Sequence, residues 1–304
     1  GEKYTALTIL SVEEDRQGNL WIGTFSGGVK ILNRRTAEIS QFYLKGNPYS
    51  TLEHAHVYDI MQDTKGNIWL ATMGGAFVVS QDGNMLWKYT INTNGIRNHS
   101  FRVLTEDSAG RIWMGARNGV YWTDPGDYKI HEVLFDDDTV KNISDLNVFC
   151  LYEHENGEIW AGTEGGGIKM IDPDIRTVRT FSLADGLPDN TVNALVKDQH
   201  GYFWLSTSKG ICRYSEGSGE ILHFTSEDGL QANDFFPNAS LYSRGGELFF
   251  GGPNGMNHFN PATIDINHKH PEVVFTSLYL KNREVLPNTE GSPLHKPMPL
   301  TDEL

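Results

Sequence analysis

Cysteine is scarce: Cys150 and Cys212 are the only two in 304 residues. That excludes a disulfide framework and a cysteine-based zinc motif, and it leaves the redox compartment undecided. Long apolar runs are missing as well. No stretch reaches the ~18 apolar residues of a membrane-spanning helix, and the N-terminus has no charged-then-apolar leader. This stretch of chain is therefore expected to make no direct membrane contact and to carry no export signal of its own. Its first residue is Gly1 rather than methionine, the pattern of a segment cut from a longer protein. Basic residues are outnumbered, 25 against 39 acidic, for a net charge of −14. A surface that neutralises phosphates needs the opposite balance, so nucleic acid and anionic membranes are set aside as partners. Charged residues make up only 21% of the chain, while 32 glycines, 12 prolines and 7 Trp, 12 Tyr and 15 Phe favour short strands and tight turns over a helical bundle.

What the chain does have is a repeat. Asn19-Leu20-Trp21-Ile22-Gly23-Thr24 returns as Asn67 to Thr72, Arg111 to Ala116, Glu158 to Thr163 and Tyr202 to Thr207, with a degenerate sixth copy, Glu247 to Gly252, that has Phe249 in the tryptophan slot. Successive copies lie 44 to 48 residues apart, the period of a propeller blade of four strands. An apolar segment (Val57 to Met61, Val192 to Val196) and an Asp-x-x-Gly turn (Asp15, Asp63, Asp107, Asp198) precede each tryptophan strand. Asp bonds backbone two residues on and Gly accepts positive φ, so this reads as a hairpin turn. A Gly-rich turn, a third strand such as Gly28 to Leu32 and a fourth such as Ile39 to Leu44 complete the unit. The expectation is an all-β chain: a β-propeller of six visible four-stranded blades over residues 1–265, with each tryptophan packed between neighbouring blades. Residues 266–304, with a strand at Val273 to Leu280 and then a proline-rich run, are too few for an independent domain. They read as a linker and the first strand of a truncated β-sandwich module.

The pattern Asp-x-x-Gly-Asn-x-Trp-x-Gly-Thr, its following Gly-rich turn, and the linker Asp185-Gly186-Leu187-Pro188-Asp189-Asn190, repeated as Asp228-Gly229-Leu230 with Asn233, resembles the two-component regulator propeller repeat. The resemblance covers residues 5 to 262. It implies a hybrid two-component sensor histidine kinase of polysaccharide-using bacteria, with a periplasmic double propeller and sandwich ahead of one membrane helix and a cytoplasmic kinase. It implies too that this segment belongs to the membrane-proximal propeller. Propellers of that family usually have seven blades, so the six visible here are either part of a seven-bladed ring or close by themselves.

In such a blade the connection into the first strand and the turn after the second share one face, because each strand reverses the chain. Two loop sets are thereby brought together. His56, His99, Arg102, Asn147, Phe149, Asn190, Asn193 and Phe235 come from the first, and Arg117 and Lys209 from the second. Planar polar groups for hydroxyls and rings for sugar faces suit an oligosaccharide ligand; a polar solvated rim is the alternative. His54 and His56 lie two apart and His268 and His270 fall in the tail, so no spacing fixes a third metal ligand. Asp136-Asp137-Asp138 reads as a solvated loop, with calcium as the less favoured reading. Tyr121-Trp122-Thr123-Asp124 matches another propeller signature but occurs once, and is taken as coincidence. No nucleophile elbow, phosphate loop or Cys/His arrangement appears. The expected function is a non-catalytic, cofactor-free periplasmic sensor for an oligosaccharide, possible as a homodimer in its parent receptor. A propeller lyase or hydrolase and a protein-interaction scaffold are the alternatives. Signal is expected to pass through the junction from Asn260 to Pro271, on which the propeller would shift as a rigid body.

Overall fold

A computed structural model of the chain describes residues 8–46, 52–91, 96, 100–124, 126–133, 146–174, 177–264 and 277–287. The chain divides into two compact units, Gly1–Pro261 and Ala262–Leu304. The first is all β. Among the described residues the only helical turns are single 3-10 turns at Leu183–Asp185 and Ser226–Asp228 within it and at Pro261–Thr263 on its boundary.

Five of its sheets have four strands in sequential antiparallel order. Blade 1 is Ile9–Glu14, Leu20–Thr24, Val29–Asn33 and Glu38–Gln41; blade 2 is Val57–Gln62, Ile68–Thr72, Gly75–Val79 and Met85–Tyr89. Blade 3 is Phe101–Glu106, Ile112–Ala116, Gly119–Thr123 and Ile130–Glu132; blade 4 is Val148–Glu153, Ile159–Thr163, Ile168–Asp172 and Thr177–Phe181. Blade 5 is Val192–Lys197, Phe203–Thr207, Gly210–Tyr214 and Ile221–Phe224. Blade 6 shows three strands among the described residues: Ser240–Tyr242, Leu248–Gly252 and Gly255–Phe259. First strands of successive blades are neighbours, which makes them the inner strands of a propeller.

The five tryptophans are at most 2% exposed and pack as expected on the following blade. Trp21 joins Ile60, Ile68 and Leu70 of blade 2, and Trp69 joins Phe101, Leu104 and Ile112 of blade 3. Trp113 joins Val148 and Ile159, and Trp160 joins Leu195 and Phe203. Apolar burial of this kind, at ~25 cal/mol per Å², is the main force holding blade to blade.

The aspartate of each turn does more than shape it. Asp63 Oδ1 accepts the Lys65 and Asn67 amides at 3.0 and 2.8 Å, while Oδ2 accepts the Trp69 indole N–H at 2.9 Å. Trp21, Trp113 and Trp204 donate in the same way to Asp15, Asp107 and Asp198 at 3.0, 2.7 and 2.8 Å. Burial alone would push the Asp15 carboxyl up, but the bonds from Asn19 and Trp21 outweigh it and hold it below its usual value. Blade 4 has His154 in the aspartate slot, and there Glu158 Oε2 takes the Trp160 indole at 3.3 Å while the imidazole stacks on the indole at 4.8 Å. In blade 6 both partners are replaced together, by Ser243 and Phe249.

Close approach of blades explains the glycine after the tryptophan. A Cβ at Gly115 would lie 2.5 Å from Val103 Cγ1 and 2.7 Å from Val148 Cγ1 of the next blade. Gly23 and Gly162 stand in the same way against Val57 and Val192. Gly251 of blade 6 has only Ala239 of its own blade nearby, at 3.3 Å. The opposite flank is uncovered too. Ile9 of blade 1 is 57% exposed, whereas its counterparts Val57, Phe101, Val148 and Val192 are fully buried. Between blades 6 and 1 lies a cavity of about 480 Å³, walled by Leu10, Ser11 and Val12 on one side and by Leu241, Phe249 and Met256 on the other.

In the second unit the described strands are a small hairpin, Tyr279–Leu280 with Arg283–Glu284. The first half of the strand expected at Val273 to Leu280 lies outside the described residues, as does the junction from residue 265 to 271.

Candidate functional site

Each inner strand of blades 1 to 5 carries a β-bulge at one place. The ladder passes from Ile9 to Ser11, Val57 to Asp59, Phe101 to Val103, Val148 to Cys150 and Val192 to Ala194. The skipped residues are Leu10, Tyr58, Arg102, Phe149 and Asn193, each eleven positions before its motif tryptophan. A bulge frees a residue from the ladder and re-aims it, and such devices gather beside functional sites. Two of the freed residues meet, and a third is held by the backbone of blade 6. The Arg102 guanidinium lies over the Tyr58 ring at 4.9 Å, and the Asn238 amide of blade 6 donates to the Asn193 carbonyl at 2.8 Å.

The loops on this face are stitched to one another by backbone bonds. Within blades, Met73, Arg117 and Glu164 donate their amides to the carbonyls of His56, Ser100 and Asn147 at 2.9 to 3.1 Å. Between blades, Gly119, Gly167 and Gly210 donate to Leu146, Asn190 and Asn233. A Cβ at Gly210, where φ is +116°, would fall 2.1 Å from the Phe224 carbonyl oxygen, so the turn requires glycine. The two loop sets derived from strand direction thus lie together.

A cavity of about 790 Å³ opens among them. Arg102, Arg117, Asn147 and Phe149 line it, facing Glu164 and, from blade 6, Pro237. Phe149 forms an apolar wall and is 8% exposed. Asn147 Nδ2 donates to Glu164 at 2.9 Å, while Asn147 Oδ1 is buried without a partner. Arg102 Nε is likewise buried and unpartnered, and so is Asn193 Nδ2. Among the described residues, no histidine lines this cavity, and no group of three His, Cys, Asp or Glu is placed to hold a metal. Burial pushes both thiols, Cys150 and Cys212, up to about 12, so neither is a nucleophile at neutral pH.

The other candidates sit elsewhere. His56 packs against Phe25 with its ring tilted by 59° and the centroids 4.1 Å apart. Lys209 is exposed and reaches Asp189 at 3.6 Å. Asn190 is structural: its side-chain oxygen accepts the Leu183 amide at 2.8 Å, capping the turn at Leu183–Asp185, and Asn233 does the same for Ser226 at 2.7 Å. Phe235 is 4% exposed and packs edge-on to Phe250, so its ring belongs to the core rather than to the cavity. His99, Asp136 to Asp138, His268 and His270 lie outside the described residues. Tyr58 and Leu10 were not singled out from sequence. The signal that finds them is their shared distance from the tryptophan.

Comparison with known proteins bears on the repeat. Residues 4–26, 51–74, 142–165 and 186–209 match the family "Two component regulator propeller". A histidine kinase, P4, of Formosa agariphila is 27% identical over 199 residues, which cover 62% of this chain and 14% of that protein. The chain thus spans about a seventh of the length of this relative. Among solved structures, the extracellular domain assigned to a hybrid two component system of B. thetaiotaomicron superposes with a TM-score of 0.64 at 23% identity, over 93% of this chain and 44% of the other. A catalytically inactive virginiamycin B lyase of Staphylococcus aureus superposes at 0.63 with 15% identity, over 84% and 85% of the two chains. Identities this low show a shared propeller fold.

Proposed function

We propose that this array of two-component regulator propeller repeats is the ligand-sensing module of a hybrid two-component receptor, and that it works in the periplasm. It recognises an oligosaccharide at the cavity lined by Arg102, Arg117, Asn147 and Phe149 without cleaving it. In the parent protein, occupancy biases a histidine kinase and its phosphorelay, with two receptor copies acting as a dimer and the junction from Asn260 to Pro271 as the moving part. The repeat itself and the histidine kinase relative support the sensor role. The observation that carries the ligand reading is the 790 Å³ cavity, in which an aromatic wall, Phe149, stands beside the polar side chains of Arg102, Arg117 and Asn147. Sugars present alternating apolar faces and hydroxyl edges, and they suit such a lining. Lyase chemistry would call for a general base and acid beside the substrate; the carboxylate at this cavity is Glu164, bonded to Asn147, and no described histidine joins it.

The test is titration calorimetry of the 304-residue chain against a panel of oligosaccharides from plant and algal polysaccharides, with chromatography of the sugars afterwards. Binding of at least one member with no new product is expected. A cleaved product overturns the non-catalytic reading, and silence across the panel overturns the oligosaccharide.

A further inference from the structure

We propose that this 790 Å³ cavity selects an acidic sugar, a saccharide bearing a carboxylate or sulfate, and that Arg102 and Arg117 are the residues that read its charge. This rests on the oligosaccharide reading above and narrows it. The chain as a whole carries −14, yet this cavity has two guanidiniums against one carboxylate, Glu164. Glu164 is already engaged by the Asn147 amide. Among the described residues neither arginine has a carboxylate within ion-pair distance, although Arg111, Arg179 and Arg213 each find one.

Arg102 makes the stronger case. It is the residue released by the bulge of blade 3, where the ladder steps from Phe101 to Val103. Its guanidinium lies 4.9 Å over the ring of Tyr58, the residue released by the neighbouring bulge, and its side chain lines the cavity. Its Nε is buried with no acceptor. A buried, unsatisfied cationic donor is costly, and the group that satisfies it best is a planar or tripod oxyanion held by paired N–H bonds. Arg117 stands exposed at the turn after the second strand of the same blade and lines the same cavity. The two arginines can therefore close on one anionic substituent while Phe149 takes the ring face. A neutral sugar would satisfy hydroxyl geometry but leave the charge of Arg102 without a counterion.

The experiment divides the calorimetry panel into three arms at low and at 0.3 M salt: oligogalacturonates for carboxylates, carrageenan oligosaccharides for sulfates, and cello-, xylo- and laminari-oligosaccharides as neutral members. An acidic arm should bind, weaken with salt, and lose about ten- to a hundred-fold in affinity in Arg102→Gln and more modestly in Arg117→Gln, the scale of one charge-assisted bond. Which acidic arm binds decides between carboxylate and sulfate. Because Arg102 also covers Tyr58, Arg102→Lys is the control: it keeps charge without the fork and should fall between wild type and Gln, while exposed Arg117 is replaceable without touching the core. Tight binding of a neutral arm unaffected by either variant overturns the acidic-sugar proposal and leaves the oligosaccharide reading standing. Acidic binding indifferent to both arginines overturns the site, and no binding in any arm overturns both readings.

Discussion

Trp113 donates its indole N–H to Asp107 Oδ2 at 2.7 Å, and through Oδ1 the same aspartate accepts the amides of Ala109 and Arg111 that close the turn before the strand. One buried carboxylate thus joins a hairpin to the aromatic plug between two blades. Replacing it strands four donors at once, since the Arg111 guanidinium also bonds Oδ2. Asp107→Ala is expected to cost about 2–4 kcal/mol, because buried donors left without acceptors lose ~1–3 kcal/mol each with partial compensation by water. Ser243→Ala at the matching position of blade 6, where Ser243 Oγ accepts only the Glu247 amide at 3.1 Å, is expected to cost under about 1 kcal/mol. Urea unfolding of the two variants measures the contrast.

Gly115→Ala should destabilise by about 1–3 kcal/mol through overpacking, since its Cβ meets Val103 and Val148 at 2.5 and 2.7 Å with no flexible end to yield. Gly217→Ala adds a methyl with nothing within 4 Å and should be neutral or slightly stabilising. Melting temperatures of the pair suffice as the readout.

The tryptophan period makes the blades legible in the sequence, because a repeat of one aromatic at a fixed interval has few structural explanations. The Asp–Trp bond was hidden for a physical reason: turn formation alone already accounts for an aspartate ahead of Gly18, Gly66 or Gly110, so nothing in the pattern asks for a second role. Blade 4 hides it further, since His154 and Glu158 divide the work that one aspartate does elsewhere. At the site, Arg102, Asn147 and Phe149 were reachable from strand direction. Tyr58 and Leu10 were not, because in an apolar strand segment they read as ordinary alternation, and only the bulge shows that they leave it. Phe235 and Asn190 share the right loops but face the interior and a turn cap, a choice set by packing that strand direction does not see.

Asp59 supplies a pH signature. Its carboxyl accepts the amides of Leu104 and Ile60 at 2.8 and 3.0 Å, yet burial outweighs these bonds and, with Glu13 nearby, pushes its pKa up to about 7 from an ordinary 3.8. The folded state therefore holds a proton there that the unfolded chain releases above pH ~4. Stability contributed by this group is full below pH ~4, declines as pH rises, and is lost once pH passes about 7. Asp59→Asn, which does not titrate, should show a flatter fall in stability between pH 4.5 and 7.5 than wild type. Parallel slopes in denaturant titrations across that range would contradict the assignment.

The uncovered flank of blade 1 predicts unequal costs at equivalent positions. Val148→Ala removes a fully buried side chain and should cost about 1–3 kcal/mol, while Ile9→Ala, 57% exposed, should cost under about 0.5 kcal/mol. If chemical unfolding of this chain gave Ile9→Ala the larger penalty, the flank would be shown to be covered in solution.

The bulges separate two demands that most strands must satisfy with the same residues. Along each inner strand the ladder, the inter-blade contact and the tryptophan seat leave one position, held by Leu10, Tyr58, Arg102, Phe149 or Asn193, that answers to none of them. An aliphatic, a phenol, a guanidinium, a phenyl and a carboxamide occupy the same slot, while the paired position just before it is apolar in every one of these blades, as Ile9, Val57, Phe101, Val148 or Val192. Recognition in such a molecule is free to drift one side chain at a time while its architecture stands still, so two chains with the same blades could be tuned to different chemical cues with very few substitutions.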